Sequence, residues 1–364
     1  MANKKHRAHQ PGATAAAERK KRRDLAALAA AAAASPAPPP LASPLAVKTS
    51  TACRYEKMEA LGAGAFGVVY RALDLHTGEL VALKCLSADD GGFLGDERRL
   101  DAVFADEVRA LEACRGLPCV VQPRGACRRD PDTGEALVAM ELVEGPSLKD
   151  AMRDDRTSAR RRHDEGEVRR IARGLLTGAA AMHAAGLMHR DLKPDNVLLD
   201  PHGGGVKICD LGRARAVAAT GDDPPFSNPV VARNYRAPEL LLGRTDYDEL
   251  IDEWAIGCIV AELLAGGLLF CGDTIAEQLG EVLSVLGTED IREWSRCPER
   301  LPGGCGPTSF LPDLFPSCPE LAMAIGRPAL SEAGFEVLSG LLMCNPEKRM
   351  TAAAALKYRW FEEA

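Results

Sequence analysis

The sequence predicts an α+β chain in which a small β-rich half precedes a larger α-helical half. Between Tyr55 and Glu141, short apolar runs alternate with turn signals such as "HTGE". Beyond Gly145 the apolar segments reach helical length, as in "EVRRIARGLLTGAAAMHAAG" and "IDEWAIGCIVAELLAG". Residues 1–54 share neither pattern. Runs of strands followed by runs of helices place the two kinds of structure in separate layers.

Taken in order, the chain opens with "RKKRR" (Arg19 to Arg23), an alanine run and "SPAPPP". Such a segment buries too little apolar area to offset its ordering entropy and is expected to be disordered. The basic run reads either as a nuclear-import signal or as a solvated charge cluster, and an organellar transit peptide is a weaker third reading. The expected location is the nucleus, the cytoplasm or both. The folded part begins with "YEKMEALGAGAFGVVYRALDLHTGELVALKCL", short β-like runs broken by turn signals. "ADEVRALEAC" follows, with helical spacing through Val108, Leu111 and Ala113. "ALVAMELVEG" is a further buried strand, and "ELVEGPS" is the hinge. This divides the chain into a tail (1–54), a β-rich lobe (55–143) and a helical lobe (144–364), with no internal repeat.

Composition narrows the function. The chain has 364 residues, 46% of them hydrophobic and 27% charged, with a net charge of −7. That balance is ordinary for a globular protein and gives no general attraction to nucleic acid. The 12 cysteines form no C-x-x-C pair, and no histidine follows Cys114, Cys119 and Cys127 at zinc spacing, so all are expected as reduced thiols. No apolar stretch reaches the roughly 20 residues of a membrane helix.

Five constellations carry chemistry. The first is "GAGAFG", with Gly62, Gly64 and Gly67, whose backbone can close over phosphates without a Cβ in the way. G-x-G-x-x-G also marks dinucleotide folds, where the loop enters a helix. Here "VVYRAL" continues as strand, so a hairpin covers the ligand. The second is Lys84, which ends "VALK". A lysine there is commonly a snorkelling surface residue. It gains meaning if Glu107 of the next helix holds its ammonium against phosphates. The third, "HRDLKPDNVLL", is the most specific string. Asp191 is placed to accept a proton from a substrate hydroxyl, Lys193 to neutralise phosphate charge, and Asn196 to hold a metal. The fourth is "ICDLGRAR", where Asp210 would hold Mg²⁺ and Leu211 packs in the core. The fifth is "VVARNYRAPELLLG", whose Glu239 is expected to form a buried ion pair with Arg349. Asp252, in "IDEWAIGC", is expected to tie the catalytic-loop backbone.

Together these sets resemble the eukaryotic protein kinases over about Tyr55 to Phe361. "YRAPELLLG", "WAIGCIVAELL" and "LFCGDTIAEQLGEVLSVLGTED" look like the cyclin-dependent kinases, with a flavour of the plant F-type. The resemblance implies a bilobal kinase fold and transfer of the ATP γ-phosphate, with Mg²⁺, to protein Ser/Thr-Pro sites. It implies ATP contacts from Leu61, Gly62, Ala63, Gly64, Ala65, Phe66, Gly67, Val68 and Val69, with Lys84, Glu107, Glu141 and Val143. It implies phosphorylation at Ser227, cradled by Arg190 and Arg215. Proline direction has a physical reason. In the family the valine matching Val231 turns its carbonyl to the arginine matching Arg236, so the residue after Ser/Thr finds no acceptor for its N–H. Proline has no N–H to lose.

The chain departs from the family at several positions. The cyclin-contacting helix reads "DAVFADE", Asp101 to Glu107, with Asp106 where an arginine is usual. This weakens the phosphate cradle and argues against a cyclin requirement, although the family implies a cyclin partner. Ala65 and Phe66 replace the inhibitory Thr and Tyr. Ala232 replaces a threonine bonded to the base and its lysine, and Asn234 replaces a tryptophan. Two readings follow: an active kinase, which needs Lys84, Asp191, Asn196 and Asp210, or a non-catalytic nucleotide-binding scaffold of kinase fold.

Overall fold

The computed structural model describes residues 54–64, 67–86, 97–125, 127–130, 133–153, 161–201, 205–217, 232–299, 321–324 and 330–362. The expectations for the N-terminal tail up to Cys53, Ala65, Phe66, Ser227 and Val231 fall outside these residues.

The first half is a five-stranded sheet. β1 (Tyr55–Gly64), β2 (Gly67–Asp74) and β3 (Leu80–Leu86) form an antiparallel meander. β5 (Ala136–Glu141) lies beside β3, with β4 (Arg128–Arg129) beyond it. Gly64 pairs with Gly67 at the end of the β1–β2 hairpin. Gly67 has φ 135°, and a Cβ there would lie 2.0 Å from the Cys85 carbonyl oxygen, so the position needs glycine. In β3, Lys84 sits opposite Val69 of β2 and Val138 of β5, which places it mid-sheet.

α1 (Glu97–Ala113) follows β3. Its buried face runs through Leu100, Glu107, Ala110 and Leu111, and continues to Cys114. The sequence reading put Ala113 on this stripe, but Ala113 is exposed. Steps of three and four from Glu107 reach 110, 111 and 114, whereas a step of six turns away from the sheet.

The second half is mainly helical. α2 (Leu148–Ala151) and α3 (Glu165–Ala184) precede β6 (Leu187–Met188), β7 (Val197–Leu199), β8 (Val206–Ile208) and β9 (Arg215–Ala216). β7 pairs with β8 and β6 with β9, both antiparallel. Then come α4 (Pro238–Leu241), α5 (Leu250–Ala265), α6 (Ile275–Leu286), α7 (Leu321–Ala324), α8 (Glu332–Leu341) and α9 (Ala352–Ala355). α3 starts where the Asp164 side chain accepts from the Glu167 N–H. A Thr274–Glu277 capping box starts α6. α5 is buried on every side from Ile251 to Leu264, so its acids Asp252, Glu253 and Glu262 can persist only with partners.

One cluster of buried side chains runs from Ala82, Leu86 and Val138 of the sheet, through Leu175 and Ile208, to Trp254 and Trp360. Backbone bonds sew the halves together: Val121 N–H donates to Ile208 O at 2.9 Å, and Ile208 N–H to Cys119 O at 2.8 Å.

Candidate active site

The sheet, α1 and the segment after β8 converge on Lys84. Its Nζ lies 2.7 Å from Glu107 Oε1 and 2.8 Å from Asp210 Oδ1, with the lysine side chain 7% exposed. Burial alone would lower the Lys84 pKa, but Glu107 and Asp210 outweigh it and the ammonium is held charged. Burial would likewise raise Asp210, yet Lys84 overrides it and the carboxyl sits below its ordinary range. A Cβ on Gly212 would lie 3.2 Å from Glu107 Oε2 and 3.4 Å from Lys84 Nζ, so glycine is what lets the turn pass so close. Asp210 itself is left-handed, with φ 62°. Aspartate tolerates that region better than most residues. Leu211 is 2% exposed and serves as core filler.

The loop after β6 carries the second group. Asp191 Oδ1 accepts from the Ala232 N–H at 3.2 Å, and Oδ2 meets Lys193 Nζ at 3.0 Å. Asn196 Nδ2 donates to Asp191 O at 2.8 Å, which leaves the amide oxygen of Asn196 as the end available to a cation. The Cys209 N–H donates to Asn196 O at 3.0 Å, which sets Asn196 beside Asp210. His189 ties the two groups together. Its Nδ1 accepts from the Asp191 N–H at 3.2 Å, so its Nε2 is the donor to Cys209 O at 3.0 Å. The structure therefore brings Lys84, Glu107, Asp191, Lys193, Asn196 and Asp210 into one connected cluster.

The loop is anchored from α5. Asp252 Oδ2 accepts from the His189 N–H at 2.7 Å, and Oδ1 from the Arg190 N–H at 2.9 Å. These bonds hold Arg190 at φ 71°, a strained conformation for a bulky residue. On the far side His183 places Nε2 3.0 Å from Asp252 and Nδ1 3.2 Å from Glu253. Burial would lower its pKa, but the two carboxylates lift it from 6.5 to about 10. Because the folded value exceeds the unfolded one, this stabilisation is complete below about pH 6.5 and is lost as pH rises through about 10. His183→Gln should remove that part of the stability profile: between pH 7 and 10 the wild type should lose more unfolding free energy than the variant. Parallel slopes in denaturant titrations across this range would refute the assignment.

Other sequence-predicted residues divide. Arg349 makes a bidentate pair with Glu239, at 2.6 Å and 2.8 Å, and donates to the carbonyls of Leu250 and Met343. Arg215 does not stand open toward a phosphate. Its Nη2 lies 3.0 Å from Asp106 Oδ2, and Arg109 contacts the same carboxylate at 2.9 Å. Arg190 lies over the Tyr247 ring at 5.7 Å. The Glu141 side chain turns to Lys207 at 2.8 Å and its N–H donates to Gln122 O, so a ligand at the hinge would not meet that side chain. Val69 and Val143 pack on the core, while Leu61 is half exposed. A Cβ on Gly62 or Gly64 would meet nothing within 4 Å, which leaves open space beside the hairpin. The sequence reading missed the Ala232 amide, Lys207 and Arg213. Only Arg213 left a signal, a charge directly after Gly212.

This arrangement is that of a phosphotransferase, and residues 55–361 match the protein kinase domain family. The chain belongs to that family, in its cyclin-dependent kinase branch, and is a serine/threonine protein kinase. It is 46% identical over 320 residues to "Putative cyclin-dependent kinase F-2" of Oryza sativa subsp. japonica, covering 85% of this chain and 90% of that protein. It is 33% identical to "Cyclin-dependent kinase B2-2" of Arabidopsis thaliana, covering 85% and 93%. It is 36% identical to "Cyclin-dependent kinase G-2" of Oryza sativa subsp. indica, covering 85% of this chain and 41% of that longer protein. Membership implies ATP and a divalent metal as cofactors.

Proposed function

We propose that the chain is a proline-directed serine/threonine kinase that uses MgATP, with its β-rich lobe at 55–143 and its helical lobe at 144–364. The observation that carries the reading is the connected cluster of Lys84, Asp191, Asn196 and Asp210. Asp210 and the free oxygen of Asn196 form a hard-oxygen donor pair suited to Mg²⁺, which would neutralise phosphate charge when bound. Gly62 and Gly64 leave room for a phosphate chain beneath the hairpin. Lys84, kept charged and aimed by Glu107, holds the phosphates. Asp191 accepts the proton of the substrate hydroxyl, and Lys193 turns to the transferred group. Ala232 removes a side-chain donor, yet its backbone N–H still holds the base. That supports the catalytic reading over the scaffold.

A cyclin is the partner suggested by the names of the relatives. The Asp106–Arg215 pair joins the helix bearing Glu107 to the segment after Asp210 within one chain, which favours activity without a cyclin. For the same reason Ser227 phosphorylation is expected to stimulate only modestly. The basic run at Arg19–Arg23 supports a nuclear or cytoplasmic location.

The test is purified full-length chain with MgATP, no cyclin, and paired peptides carrying Ser-Pro or Ser-Ala. The Ser-Pro peptide should be phosphorylated about 5- to 150-fold faster, since an N–H left without an acceptor costs on the order of 1–3 kcal/mol. Equal rates would overturn proline direction. Nucleotide binding without transfer, persisting after a panel of cyclins is added, would establish the scaffold instead.

A further inference from the structure

Arg213 has no role in the reading above. It closes the 3-10 turn Leu211–Arg213 that follows Asp210. Its Nε lies 3.7 Å from Asp191 Oδ2, an ion-pair distance too long for a hydrogen bond. The Arg213 side chain is 28% exposed and that of Asp191 only 5%, so the guanidinium stands at the rim and the carboxylate beneath it.

We propose that Arg213 is a positioning residue for Asp191, fixing the orientation of its carboxylate during transfer. The terminal torsion of an aspartate is broad, so the group rotates unless both oxygens are held. The Ala232 N–H holds Oδ1. Oδ2 is held by Lys193 at 3.0 Å, more loosely by Asn196 Nδ2 at 3.4 Å, and by the charge of Arg213. Lys193 is a compact, rotatable cation assigned above to the transferred phosphate. When it turns there, Arg213 is the cation that stays on Oδ2. Position 232 is an alanine and supplies no side-chain donor of its own. The inference rests on Asp191 being the base.

The experiment uses the full-length chain and the variants Arg213→Gln, Arg213→Lys and Asp191→Asn. Single-turnover transfer to a Ser-Pro peptide, affinity for a fluorescent ATP analogue and melting temperature are measured for each. Arg213→Gln should slow transfer about fivefold, the scale of one partly exposed ion pair, with nucleotide affinity and melting temperature unchanged. Arg213→Lys, which keeps the charge, should recover most of the rate. Wild-type transfer by Arg213→Gln overturns the proposal. So does equal slowing by both Arg213 variants, or a loss that appears as weaker nucleotide binding or a lower melting temperature. If Asp191→Asn transfers like wild type, the assignment of the base itself has failed, which the other variants cannot mimic.

Discussion

Asp191→Asn should leave a chain that binds ATP and does not transfer its phosphate. The replacement keeps the shape of the side chain and an oxygen for the Ala232 N–H, so the loop stays anchored through Asp252. What disappears is the anion proposed to take the hydroxyl proton, which also balances Lys193 and Arg213. A positioned general base contributes about 10²–10⁴-fold, so single-turnover transfer should fall by that factor. Nucleotide affinity should stay within about twofold, because the group proposed to hold ATP, Lys84 with Glu107 and Asp210, is built from other elements. Transfer within tenfold of wild type would show that another group takes the proton.

The second large effect lies away from the reacting atoms. Arg349→Ala should destabilise the protein by about 3–5 kcal/mol, seen as a lower urea midpoint. The Arg349 side chain is 0% exposed and that of Glu239 3%. Its guanidinium also donates to carbonyls on two segments and lies 5.2 Å from the Trp254 ring centroid. Truncation strands the Glu239 carboxylate in a low-dielectric interior. The double variant Glu239→Gln, Arg349→Met should lose less than Arg349→Ala, because no uncompensated charge remains. The Asp106–Arg109 pair is the internal control: with the Arg109 side chain 76% exposed, its loss should cost no more than about 1 kcal/mol. Equal losses at the two sites would contradict the burial argument.

Much of the site was legible in the sequence because its parts are local strings. Asp191 and Asn196, five positions apart, fit inside one loop, and an apolar run ending in an acid and a glycine marks Asp210. The period of β3 and the spacing from Lys84 to Glu107 were enough to propose their pairing. The Arg349–Glu239 pair, expected from the two strings "YRAPELLLG" and "NPEKRM", spans 110 residues. Other features were hidden for definite reasons. The Ala232 N–H is backbone, and no side-chain pattern reports it. Lys207 and Glu141 sit on unremarkable strands, and their meeting depends on how β8 lies against β5. Ala113 was misplaced because one apolar residue near a helix end fits more than one face. The partner of Arg215 was half visible: Asp106 reads as an acid near the cradle, but its direct pairing with Arg215 depends on how α1 packs against the segment after Asp210.

The sewing of Cys119 and Val121 to Ile208 also bears on the order in which the protein is made. A ribosome delivers the five-stranded sheet long before it delivers β8. Until residue 208 emerges, the edges of residues 119–121 have no strand to bond, and Leu86 and Val138 lack the helical side chains that complete their cluster. The nascent sheet therefore waits with apolar surface uncovered, a species that invites aggregation and chaperone contact. The shared cluster also couples the halves in the finished chain, so a fragment ending at the hinge should not fold alone and heating should melt both halves in one step.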